Sequence, residues 1–91
     1  ANLSNADLTN AVLFGAMLEG ANLSGANLQN ASLFEADLEN ANLAGANLKG
    51  ANIIDTNFNN ATFSQSTILP NGKPATKSWA TLKQAMFIET K

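Results

Sequence analysis

A large apolar residue recurs at every fifth position from Leu3 to Ile68, and a small residue stands two places before each one. The apolar series is Leu3, Leu8, Leu13, Leu18, Leu23, Leu28, Leu33, Leu38, Leu43, Leu48, Ile53, Phe58, Phe63 and Ile68. The small series runs as alanine every five residues from Ala1 to Ala51, then Thr56, Ala61 and Ser66. Residues 1–70 therefore divide into fourteen copies of a five-residue unit. An α-helix advances roughly 100° per residue, so this period would carry the apolar stripe around the whole helix and bury no face. A flat strand alternates sides every second residue, so successive leucines would point to opposite faces. Both series stay on one side only if the chain turns a corner at each unit. Four units then make a square coil, and coils stack into a solenoid with a continuous interior.

The units Ala-Asn-Leu-Ser-Gly at 21–25 and Ala-Asn-Leu-Ala-Gly at 41–45 resemble the A(D/N)LXX motif of the pentapeptide-repeat family. The resemblance covers residues 1–70 and implies an all-β solenoid, a right-handed quadrilateral β-helix of about three and a half coils. It also implies a cyanobacterial type of protein, since such repeats abound there. The spacing of leucine-rich repeats, LxxLxLxxN, is absent.

With 91 residues and 45% apolar content, one small core is expected, filled by the large residues and the alanines. Asparagine dominates the place before each large residue, as at Asn2, Asn22, Asn27, Asn42, Asn47, Asn52 and Asn57. Positions twenty apart are expected to stack in side-chain ladders with a structural hydrogen-bonding role. Glycine or asparagine closes most units, as at Asn10, Gly15, Gly20 and Gly25, where a corner favours left-handed backbone.

Composition changes at Leu69-Pro70-Asn71-Gly72-Lys73-Pro74, a run of turn formers that ends the repeat. The expected division is a β-helix over 1–70, a connector over 71–77, and a capping helix with tail over 78–91. Trp79, Leu82 and Met86 share one helical face, which predicts an amphipathic helix over about 78–89 with Thr76 or Ser78 as its cap. Such a helix would cover the last coil and its unpaired strand edges. At the other end, Leu3, Leu8, Leu13 and Leu18 are expected to form an open coil. An upstream segment of a longer protein, a second copy stacked end to end, or a docked partner would cover it.

One outward position breaks the polar pattern. The residue after the central one is polar or small on three faces, but on the remaining face it runs Phe14, Phe34, Ile54, with Val12 and Met17 beside its upper end. This apolar ladder either stiffens the sheet by stacking or forms an interface, for a homodimer or for an unknown protein partner.

Residues 1–70 carry six carboxylates against Lys49, whereas the tail carries Lys73, Lys77, Lys83 and Lys91 against Glu89. Some pentapeptide-repeat proteins are acidic rods that imitate DNA and bind gyrase, so an acidic DNA-mimic inhibitor is the alternative to a structural or interaction module. DNA mimicry needs roughly one charge per 1.7 Å along a duplex-like length, and six acids on a short rod fall short of that. An acidic solenoid without arginine is not expected to bind nucleic acid. The chain has no His, Cys, Tyr or Arg, which removes the commonest general base, the thiolate nucleophile and imidazole or thiolate metal sites. No catalytic residue, cofactor or metal site is expected; Glu19 and Glu39, one rung apart, form a solvated acidic face. No segment has the length of a membrane span or of a signal-peptide core, so no membrane partner is expected. Cytoplasm, periplasm and thylakoid lumen all stay open as locations, since the lack of cysteine is compatible with each.

Overall fold

The computed structural model describes residues 2–89. Ala1, first of the small series, and Thr90 and Lys91 of the tail lie outside the described residues. The repeat is built as four ladders of parallel bridges whose partners are twenty residues apart. The first face stacks Asn2, Asn22, Asn42 and Thr62; the second begins Asp7, Asn27, Asn47. The third stacks Val12, Ser32 and Asn52, and the fourth Met17, Asp37 and Asn57. Each rung is held from both sides. The Leu23 amide donates to the Asn42 carbonyl at 2.8 Å, and the Asn42 amide donates back to the Ala21 carbonyl at 2.9 Å.

Between faces the chain turns in two residues. The Ala26 amide donates to the Leu23 carbonyl at 3.0 Å, closing a β-turn around Ser24 and Gly25, and Gly25 has a φ of +67°. A positive φ at the third turn residue is the requirement of a type II turn, and glycine meets it without steric cost. All twelve unit ends from Asn5 to Asn60 share this left-handed backbone.

The two inward series form the core. Leu23, Leu28, Leu33, Leu38, Leu43 and Leu48 are fully buried, with Ala21 to Ala51 filling the corners between them. Where threonine replaces alanine at position 56, its hydroxyl donates to the Leu33 carbonyl at 2.7 Å, so the polar atom enters the interior satisfied.

The asparagine places do provide structural hydrogen bonds, but mostly within the unit. In nine units the Asn or Asp side chain accepts from the amide two residues on, as in Asn22 with Ser24 at 3.0 Å. The rung-to-rung contact from Asn57 Nδ2 to Asp37 Oδ1, at 3.3 Å, is of the kind expected from stacking. The backbone fold explains the preference: an Asx turn is closed by a neighbouring amide already in position.

The register slips by one residue after Phe63. Ile68 pairs with Asn47, so Thr67 takes the small inward place and Leu69 the central one, in place of Ser66 and Ile68. The cause is a longer corner over 64–66. The Thr67 hydroxyl holds it, accepting from the Ser64 and Gly45 amides and donating to the Leu43 carbonyl at 2.8 Å. The chain then reverses at Asn71 and Gly72, and Pro74 bridges Ile68 in antiparallel fashion on the second face.

The C-terminal segment differs from the single helix expected over 78–89. Helix α1 spans Lys77–Leu82, and a strand β2, Met86–Ile88, pairs in parallel with β1, Thr62–Ser64. The Thr76 hydroxyl caps α1 by accepting from the Trp79 amide. Gln84, with φ of +58°, ends it: its amide donates to the Thr81 carbonyl and the Ala85 amide to the Ala80 carbonyl. That pair of bonds is a Schellman motif. Ala85-Met86-Phe87 then repeats the small-x-large spacing of the coils, with Phe87 opposite Phe63. Trp79 alone of the predicted cap face packs inward, its ring 4.9 Å from Phe63 and 6.1 Å from Phe58. Leu82 and Met86 are exposed; the left-handed turn at Gln84 takes Met86 off the helical spacing that would have aligned it with Trp79.

Candidate interaction surface

The third and fourth faces carry the outward apolar residues. Val12, Phe14, Met17 and Ile54 are each more than 60% exposed. Phe34 is half-buried, because the Phe14 ring meets it edge to face with centroids 5.2 Å apart. Stacking within the ladder and exposure of its outer surface therefore coexist. An edge-to-face pair contributes about 0.5–1.5 kcal/mol beyond the area it covers.

Val12 and Met17 are costly choices for the fold. They occupy the place from which Asn or Asp closes the turn in nine other units, so the turn bond from the side chain is lost and a large apolar group faces water. Natural chains break such local rules mostly at functional or strained sites.

Acidic residues border this patch. Glu35 and Asp55 stand at the corner between the two faces, both with φ of +58°, and Glu19, Asp37 and Glu39 lie on the fourth face. These are five of the six carboxylates of the coils, and the only lysine of the coils, Lys49, sits on the second face. Carboxylate oxygens of Glu19, Asp37 and Glu39 approach within 4.8 Å of one another, the spacing at which hard cations find oxygen ligands. Asp37 Oδ1 is already engaged by the Glu39 amide at 3.0 Å and by Asn57. The sixth carboxylate, Asp7, is on the second face. The Thr9 hydroxyl, and then the Thr9 amide, hold its pKa below the ordinary value, partly offset by desolvation.

At the N-terminal coil, Leu3, Leu8, Leu13 and Leu18 are half-buried, whereas their counterparts one coil on are fully buried. In the C-terminal segment, Leu82, Met86 and Ile88 are the exposed large apolar residues, with Lys77 and Lys83 nearby in the chain. Lys77, Ser78, Thr81 and Leu82 line a shallow groove on α1. Lys83 Nζ lies 5.8 Å from the centroid of the Trp79 ring. Strand β2 escaped sequence reasoning, although the Ala-x-Phe spacing at 85–87 was a usable sign that the helix must stop before it.

The profile for pentapeptide repeats matches residues 1–30 and 31–68, in eight copies. The chain belongs to the pentapeptide-repeat family, whose fold is the right-handed quadrilateral β-helix. Among solved structures it is similar to the pentapeptide repeat protein Rfr23 from the cyanobacterium Cyanothece 51142, at 33% identity and a TM-score of 0.60, over 96% of this chain and 54% of that one. It is also similar in fold to HetL, a pentapeptide repeat protein involved in heterocyst differentiation regulation from the cyanobacterium Nostoc sp. strain PCC 7120. There the identity is 23% and the TM-score 0.59, over 82% of this chain and 54% of that one. The chain thus spans about half the length of each relative. No curated protein matches the sequence.

Proposed function

We propose that this chain is a non-catalytic structural and interaction module, a β-helix of about three and a half coils closed by α1 and β2. Its third and fourth faces dock a protein partner. The observation that carries the reading is the placement of Val12, Phe14, Met17 and Ile54, all exposed, on two adjoining faces of a scaffold whose other outward positions are largely polar or small. Contiguous exposed apolar area on a soluble fold usually marks an interface. The lack of His, Cys, Tyr and Arg supports a non-catalytic role. Gyrase inhibition by DNA mimicry finds less support, since apolar rungs interrupt the acids on these faces.

The test compares wild type with Phe14→Ser/Phe34→Ser for self-association and for capture of proteins from cell extract, with circular dichroism to confirm the fold. Loss of association or capture in a folded variant is the expected result. Unchanged behaviour in both assays would sink the reading.

A further inference from the structure

The seven exposed large apolar residues among those described fall into two groups. Val12, Phe14, Met17 and Ile54 lie on the third and fourth faces; Leu82, Met86 and Ile88 lie in the C-terminal segment. The two groups have opposite electrical settings. Five carboxylates and, among the described residues, no lysine surround the first, while α1 presents Lys77 beside Leu82 on one groove, and Glu89 is the single acid of the C-terminal segment. We propose that these surfaces recognise each other between copies: the acid-bordered apolar face of one chain receives the basic, leucine-bearing groove of α1 from a second chain.

This inference rests on the docking role assigned above to the third and fourth faces and names their occupant. Symmetric pairing of that face with itself is disfavoured, because it would bring five carboxylates against five more. Pairing with α1 instead sets Lys77 of the groove against the acids that border the face while Leu82 meets Phe14 and Ile54. The contact is heterologous, so each chain keeps one free face and one free groove, and association runs head to tail. Three rungs about 4.8 Å apart make a patch smaller than the roughly 800 Å² per partner of a stable complex. The association is accordingly weak and rapidly reversible, and partly electrostatic.

Sedimentation velocity and light scattering across a dilution series of the 91-residue chain test it. The average mass of wild type is expected to rise with concentration without stopping at a dimer, and the affinity to fall about tenfold or more when salt rises from low to roughly 0.5 M. A face variant, Phe14→Ser/Ile54→Ser, and a groove variant, Lys77→Glu/Leu82→Ser, should each stay monomeric with unchanged circular dichroism, as both alter exposed side chains. Mixed in equal amounts they should form heterodimers and nothing larger, since one intact face and one intact groove remain between them. An equal mixture that stays monomeric, or a groove variant that associates as wild type does, overturns the proposal. So does a wild type monomeric up to about 1 mM. In that last case, capture of a foreign protein by wild type and not by Phe14→Ser/Phe34→Ser would leave the docking role of the face standing.

Discussion

Each unit end of the coils must accept a left-handed backbone, and the chain supplies glycine or asparagine at ten of the twelve. The exceptions are Glu35 and Asp55, both at the corner beside the apolar ladder, each with φ of +58°. A left-handed conformation costs an ordinary L-residue about 1–2 kcal/mol, and asparagine less because its side chain can bond locally. Glu35→Asn is therefore expected to stabilise the fold by about 0.5–1 kcal/mol, measured by urea denaturation. In the proposed docking role, Glu35 and Asp55 set carboxylates at the border of the patch, at corners where the other units carry glycine or asparagine. The same logic applies to Val12 and Met17. Val12→Asn/Met17→Asn should restore two Asx turns, worth about 0.5–1 kcal/mol each, and at the same time weaken association. A variant both more stable and less associative would separate what these residues do for partners from what they do for the coil.

For the C-terminal elements, a short helix and a short strand compete for one segment. The spacing of Trp79, Leu82 and Met86 suits a helix, but the Ala85-Met86-Phe87 unit can pair with the open edge of Thr62–Ser64 and set Phe87 over Phe63. Pairing satisfies edge groups that a continued helix would leave open, so the strand wins and α1 ends after six residues. Gln84 bears the cost of the turn at φ +58°. Gln84→Gly should raise stability by about 0.5–1 kcal/mol with the strand pairing intact, read by thermal unfolding and by protection of the Met86 amide. Thr67 plays a comparable part at the corner before α1. Its three hydrogen bonds turn a one-residue insertion into an ordered bulge, and they shift Ile68 outward and Leu69 inward.

Across the whole molecule, the solenoid has a gradient of burial along its axis. Leu3, Leu8, Leu13 and Leu18 are half-buried, the next two coils hold most of the fully buried leucines, and Trp79 closes an aromatic cluster with Phe58 and Phe63. In a repeat array each layer is stabilised by its neighbours. Hydrogen exchange should therefore be fastest at the amides of Leu3, Leu8, Leu13 and Leu18 and slowest at those of Leu28, Leu33 and Leu43, with protection differing by about tenfold or more. Equal protection along the axis would mean that the first coil is as firmly held as the third. The five-residue period by itself determined the four-faced coil, the inward leucine and alanine series, the turning corners and the outward apolar ladder. A repeated local geometry leaves the chain one way to bury both series. Only the tertiary structure decided the register slip at Thr67, the early end of α1, the pairing of β2 and the half-burial of Phe34. Those depend on hydrogen bonds and ring contacts between residues far apart in the chain, whose energies outweigh the local preferences that spacing reveals.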